Sequence, residues 1–305
     1  MTLVTEVMTG AIRGGTSILY AGVGESYAES AGVVNLGTEG SMLVGALAAY
    51  AVASETNNPW AGAVAGLVAG GVLALVHAYF VLHRRANQLA NGLVVLFLGL
   101  GLTSLFGASY VSKPAKSFTP WRIPGLGSLP AVGDILFNHD PLTYLSFLLV
   151  PASWWLLTRS RWGLLLRAAG ERTEVLSSYG HSVRRIQYIA VVLGGTLAGL
   201  GGAQLAIAYA NAWFENMVQG RGFVAVAVVI FAARQPFKVA AGSYLFGAAL
   251  ALSPALQARG YGINQFALDA IPYVTIIVVL VALGRRRAAE APEGLKKVFE
   301  VSPST

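Results

Sequence analysis

The chain has 305 residues, of which 55% are hydrophobic and only 11% charged, with a formal net charge of +7 and a mean hydropathy of +0.61. A soluble globular domain carries about 25% charged residues, so this composition leaves too little polar surface for a water-facing exterior and points to an integral membrane protein. There is no cysteine, which excludes a disulfide framework, a thiol nucleophile and a Cys-ligated metal site.

In chain order, the N-terminus MTLVTEVMTG lacks a basic region and a small-residue cleavage motif, so no cleaved signal peptide is expected. A bilayer core about 30 Å thick takes roughly 20 residues of helix. Qualifying windows fall at about 8–24, 38–54, 60–82, 90–110, 142–158, 186–210, 221–234, 237–257 and 271–284. The expected fold is an all-α, polytopic helical bundle of about nine spans, with eight to ten as the range, forming a single transmembrane domain over 1–305.

The first polar feature is GVVNLGTEGSML at 32–43, where Asn35 and Glu39 border an apolar run. A carboxylate beside free N–H groups is favourable at a helix N-terminus, and the same residue can line a cavity. Glycine clusters follow within the spans, as GLVAGG at 66–71, GLGLTSLFG at 99–107 and GGTLAGLGG at 194–202. Small residues at helical spacing let membrane helices approach closely, so these segments read as packing faces. GGTLAGLGG sits mid-span with no strand before it, and is not a dinucleotide loop.

Basic residues set an orientation. Arg84 and Arg85 follow the third window, six arginines lie between the fifth and sixth, Arg234 and Lys238 share a short turn, and Arg285, Arg286 and Arg287 follow the last. With an odd number of spans these clusters share one face, which the positive-inside rule makes cytoplasmic, with the C-terminus inside. Residues 25–37 fall on that face too and read as a loop, although they carry Glu25 and Glu29 and no basic residue. Residues 111–141, with five prolines, read as an irregular outer cap. The loop at about 159–185, RSRWGLLLRAAGERTEVLSSYGHSVRR, can form a short amphipathic helix bracketed by Gly170 and Gly180. The tail 285–305 reads as a frayed cytoplasmic end.

No G-x-x-x-x-G-K-[ST], G-x-S-x-G or H-E-x-x-H occurs, and the four histidines match no metal-ligand spacing. No catalytic residues and no metal ligands are therefore assigned. The informative polar residues near or within spans are Arg13, Asn35, Glu39, Asn91, Gln204, Glu215, Asn216, Gln219 and Arg221, since ionisable groups at membrane depth often mark a transport path. The stretches 29–50 and 215–233 each run from an acid, through glycine and polar residues, into a short small-residue span. Interrupted segments at corresponding places in two halves point to a transport site.

GVVNLGTEGSMLVGA, WGLLLRAAGERTEVLSSYGHSVRRIQYIAVVLGGTLAGLGGA and ENMVQGRGFVAVAVVIFA resemble the permease subunits of bacterial ATP-binding-cassette (ABC) importers of the branched-chain amino acid and ribose-type group. The likeness is strongest to the nucleoside importers and runs, in order, over nearly the whole chain. It implies a type II ABC importer-like fold in the bacterial inner membrane and a second, similar permease as partner. It also implies a cytoplasmic ATPase with two nucleotide-binding domains that bind ATP and Mg, and an extracytoplasmic substrate-binding lipoprotein. This chain itself would hold no cofactor and be no enzyme, contacting membrane lipid and no nucleic acid. By resemblance, Gly170, Glu171, Arg172, Ser177, Ser178, Tyr179 and Gly180 belong to a coupling helix that docks on the ATPase. Asn35, Gly37, Glu39 and Gly40, with Gly220, Arg221, Gly222 and Phe223, flank the translocation path, to which the in-span amide Asn91 is added. The family commonly has Asn-Pro after the Gly-Glu of the coupling loop; Arg172 and Thr173 stand there instead.

Other readings remain open on the residues alone: the same family carrying branched-chain amino acids or sugars, an ion-coupled secondary transporter, and an intramembrane enzyme. The acids lie mainly near span ends, which speaks against ion coupling, and no nucleophile–base pair can be assembled.

Overall fold

The structure, a computed structural model, describes residues 2–130, 132–260 and 264–284. The chain is built of α1 (Leu3–Ser30), α2 (Thr38–Thr56), α3 (Pro59–Ala78), α4 (Gln88–Gly107), α5 (Val132–Leu136), α6 (Pro141–Arg159) and α7 (Arg161–Glu171). These are followed by α8 (Thr173–Ser178), α9 (Val183–Gln204), α10 (Arg221–Ala232), α11 (Pro236–Ala258), α12 (Gln265–Asp269) and α13 (Ile271–Gly284). In an apolar solvent a backbone must satisfy its own hydrogen bonds, which is why these apolar runs fold as helix. Polar side chains start them: Thr2, Asn58, Asn87, Asp140 and Ser182 each accept a backbone N–H at a helix N-terminus.

Every one of the nine expected windows falls on a helix. Among the described residues, five helical segments are long and apolar enough to cross a membrane: Pro59–His83, Gln88–Tyr110, Pro141–Arg159, Val183–Tyr209 and Pro236–Ala258. The others differ for a physical reason. Helices α1 and α2 are surrounded by protein, with α1 buried almost continuously from Ala11 to Ser30, so they can carry polar residues that a lipid-facing helix cannot. Helix α10 has only 12 residues. The arginines at 285–287 and the tail 285–305 lie outside the described residues.

Two expectations are corrected. Glu25 and Glu29 are not in a loop, because α1 continues to Ser30 and buries both. The 159–185 segment does hold a short helix, α8, between Gly170 and Gly180, but a second helix precedes it and takes in Gly170. The segment is α7 and α8, broken at Arg172 (φ −140°, ψ 68°), with Gly170 buried inside α7. Gly180, with φ +78°, does end the α8 turn.

Helix α9 lies at the centre, packed on α1, α2 and α3. The helices touch backbone to backbone. A Cβ on Gly45 of α2 would stand 2.5 Å from Gly199 Cα, and one on Gly70 of α3 would stand 2.6 Å from the same atom. Such spacing leaves no room for a side chain and lets dispersion contacts hold the bundle together without a hydrophobic drive. On the outside, Val64, Val68 and Val72 of α3 and Phe97 and Leu105 of α4 are exposed and give the bundle its apolar perimeter.

Residues 111–141 cap one end. Trp121–Arg122 pairs antiparallel with Asn138–His139. The cap is tied down by Phe118 N–H to Ile207 O (2.8 Å), Tyr50 Oη–H to Lys113 O (2.6 Å) and a Lys113–Glu55 ion pair at 2.5 Å. His139 is fully buried, with Nε2 2.7 Å from Ile135 O and Nδ1 without a partner. Burial pushes its pKa below the ordinary 6.5, so the folded cap holds the neutral ring. Its contribution is complete above pH 6.5 and is lost as the pH falls below that value, because the unfolded chain takes up the proton first. Limited proteolysis of the cap is expected to accelerate between pH 7.5 and 5.5, and His139→Gln is expected to flatten that response. An equally steep response in the variant would assign the pH dependence elsewhere.

Candidate functional site

The site begins where α1 ends. Ala31 and Gly32 (φ +82°) turn the chain, and residues 33–37 run back into the bundle without helical hydrogen bonding before α2 starts at Thr38. Backbone groups freed inside a membrane bundle need partners, and side chains supply them. Glu25 Oε1 accepts the Asn35 N–H at 2.8 Å, and its Oε2 accepts from the Thr38 hydroxyl at 3.0 Å. Asn35 Oδ1 accepts the Gly37 N–H at 2.9 Å, and Gln88 Oε1 accepts the Val34 N–H at 2.8 Å.

Glu39, in the first turn of α2, does the same for α10. Its Oε1 accepts the Gly220 N–H at 2.7 Å and its Oε2 accepts the Gly222 N–H at 2.6 Å. Gly220 has φ +84° and no side chain with which to cap α10, so the carboxylate is the cap, delivered from a helix 181 residues earlier. The two helix starts press together: a Cβ on Gly222 would lie 2.5 Å from Glu39 Cα. Glu39 is 3% exposed. Burying a carboxylate costs several kcal/mol, offset here by two charge-assisted hydrogen bonds of about 1.5–3 kcal/mol each and by the positive ends of two helices.

Arg221 completes the cluster. Its guanidinium lies 5.2 Å from the centre of the Tyr209 ring, and Nη1 reaches Ser17 Oγ at 3.5 Å. Arg221 sits between Gly220 and Gly222, whose N–H groups Glu39 holds, so its side chain starts beside that carboxylate. Beside it lies a cavity of about 260 Å³, lined by Gln219, Gly220, Arg221 and Ser253 with Ile18 and Phe246 as apolar wall.

The expected path residues therefore divide. Asn35, Glu39, Gly220, Arg221 and Gly222 come together around the α2 and α10 starts. Gly37 and Gly40 serve the close approach of α4, where a Cβ would stand 2.7 Å from Val95 Cγ1 and 2.9 Å from Val95 O respectively. Phe223 is 38% exposed on α10. Asn91 is not in the cluster. Its amide bonds His77 Nδ1 at 2.9 Å and His77 O at 3.3 Å, holding α4 to α3. Glu25, Ser17 and Tyr209 are not among the path residues the sequence points to; the signal for the first is an acid four residues before a second acid, Glu29, with no basic residue between 14 and 34 to answer either. Among the described residues no group of three or more His, Asp or Glu could hold a metal ion.

The expected coupling residues form a second group. A Cβ on Gly170 would stand 2.5 Å from Ser30 O and 2.9 Å from Gly32 N, so α7 rests directly on the α1–α2 turn. Gln187 Nε2–H donates to Ala31 O at 3.0 Å in the same turn. Glu171, Arg172, Ser177, Ser178 and Gly180 are exposed, and Tyr179 is 79% exposed. The Ser177 and Ser178 hydroxyls bond back to Thr173 O and Glu174 O, which leaves the aromatic ring as the most prominent group.

Residues 7–282 match the family described as the permease component of branched-chain amino acid transport systems. The chain belongs to this permease family. It is similar to a Haloferax volcanii protein that carries the provisional name glucose ABC transporter permease protein TsgC13, with 39% identity covering 88% of this chain and 82% of that one. The guanosine ABC transporter permease NupQ of Bacillus subtilis is 29% identical, covering 90% and 91%. The nucleoside ABC transporter permease NupC of Lactococcus lactis is 28% identical, covering 90% and 92%. The protein is thus an ABC permease subunit and a multi-pass membrane protein, of a family that works with an ATPase and a substrate-binding protein.

Proposed function

We propose that this permease forms the translocation path for a neutral, hydroxyl-rich solute, a nucleoside, moved inward by alternating access. The observation that carries the reading is the contrast between Glu39, which is bonded to backbone, and Arg221, which lines the cavity. Both carboxylate oxygens are bonded to the Gly220 and Gly222 amides and the side chain is buried away from the cavity lining, while Arg221, with five N–H donors and few partners, lines the cavity. A zwitterionic amino acid would bring an ammonium group with no free carboxylate to receive it; a solute rich in neutral acceptors suits the donors. A sugar meets the same requirement, and the relative named for glucose, at 39% identity, favours it as the second reading.

In this reading the nine apolar helices are the spans of a type II ABC importer half, with the arginine-rich end and the C-terminus cytoplasmic. A second permease completes the path, and an extracytoplasmic lipoprotein delivers the solute. A partner ATPase of two nucleotide-binding domains, holding ATP and Mg, docks on α7–α8. The chain catalyses no reaction of its own.

Uptake of a labelled nucleoside by cells carrying the whole transporter tests the solute. Competition by unlabelled nucleosides and none by glucose or leucine is expected. Competition by glucose alone would select the sugar reading, and competition by leucine would overturn both. The docking role has its own test. Tyr179→Glu changes an exposed residue, within about ±0.5 kcal/mol in stability, yet is expected to abolish uptake while the protein still inserts. Unchanged uptake would remove Tyr179 from the docking surface.

A further inference from the structure

A second cavity, of about 380 Å³, opens at the arginine-rich end between α6, α7 and the turn joining α10 to α11. It is lined by Arg167 of α7 and Arg234 of the turn, with Trp154 of α6 and Phe237 of α11. The two rings are 6.1 Å apart and tilted. Arg234 is held in place: Ala233 and Arg234 both have left-handed φ values, 49° and 60°, and their N–H groups bond Ile230 O and Val229 O. Glu29, buried on α1, is not among the lining residues, and among the described residues no carboxylate lines the cavity. Arg167, exposed on the other wall, leaves the lining net positive.

The depth of the cavity follows from its neighbours. Trp154 and Trp155 near the end of α6 and Trp162 at the start of α7 are exposed, with Arg159 and Arg161 between them. Tryptophan beside arginine on a lipid-facing surface marks the boundary between acyl chains and water. A cavity there has a cationic interior and an apolar rim, the reverse of a site for a freely soluble ion. Basic pockets between membrane helices suit lipid headgroups. The start of α11, where Gln235 gives no side-chain cap, adds the positive end of a helix dipole.

We propose that this cavity binds the phosphate of an anionic phospholipid, with an acyl chain leaving across Trp154 and Phe237. The headgroup would join α7, whose far end carries Gly170, to the α10–α11 turn, so that lipid charge sets how firmly the α7–α8 segment is held. This goes beyond the solute reading and does not depend on it.

Native mass spectrometry of the assembled transporter, titrated with phosphatidylglycerol, phosphatidylcholine or inorganic phosphate, tests the proposal. Phosphatidylglycerol is expected to remain bound where phosphatidylcholine is stripped. Arg167→Gln is expected to weaken phosphatidylglycerol binding roughly five-fold, and the further change Arg234→Gln by a similar factor. Lys116→Gln, which removes the same charge from the exposed cap at the other end, should leave binding unchanged. Arg167 is exposed, so its variant reports on binding even if the double variant fails to fold. Equal retention of phosphatidylcholine, an Arg167→Gln variant indistinguishable from Lys116→Gln, or blocking by inorganic phosphate at equal concentration would each overturn the lipid assignment.

Discussion

Replacing Glu39 by alanine is expected to destabilise the protein by about 3–5 kcal/mol and to reduce uptake below about a tenth of the wild-type rate. Two effects add. The Gly220 and Gly222 N–H groups lose the acceptor on which both now depend, and an unsatisfied buried donor costs about 1–3 kcal/mol. Arg221, half-buried beside the cavity, also loses a nearby negative charge. Glu39→Gln keeps one acceptor oxygen, sets an NH2 against the other glycine N–H and removes the charge, so it is expected to lose less stability than the alanine variant and to retain little of the uptake. Thermal unfolding in detergent and whole-cell uptake read the two quantities separately. A stable, transporting alanine variant would show that α10 does not need this cap.

Gly170→Leu is expected to abolish uptake while the assembled transporter still hydrolyses ATP. The new Cβ would fall 2.5 Å from Ser30 O and 2.9 Å from Gly32 N, both backbone atoms that cannot rotate away. Helix α7 must then lift off the end of α1, an overpacking cost of about 1–3 kcal/mol. The α1–α2 turn leads directly to Asn35 and Glu39, so the displaced contact joins the α7–α8 segment to the stretch that carries the polar cluster. Gly170→Ala should show a smaller defect of the same kind. Normal uptake by the leucine variant would mean that α7 does not bear on this turn during transport.

Hydropathy made the helix positions legible, because nine apolar windows in a chain this poor in charge have few alternatives. The role of Glu39 was half legible: TEGSML marks a helix start, but nothing nearby says that the carboxylate reaches a different helix 181 residues away. Glu25 and Glu29 were misplaced in a loop for the same reason. Two acids break the hydropathy of α1, and the N–H group that satisfies Glu25 comes from Asn35 in a returning segment no periodicity describes. Gly170 was read as a helix boundary because glycine commonly ends helices, whereas here it permits a close approach inside one. Asn91 looked like a path residue because an amide in an apolar span is unusual; His77, 14 residues earlier, is its partner.

The separation between Glu39 and Gly220 also constrains the birth of the molecule. Ribosomes emit about 5–20 residues per second, so the second helix waits roughly 10–40 s before the tenth leaves the exit tunnel and the carboxylate can find its amides. Throughout that interval the nascent hairpin must remain loosely docked, near water or an insertion factor, and the final closure of the polar cluster is a late, post-insertion event.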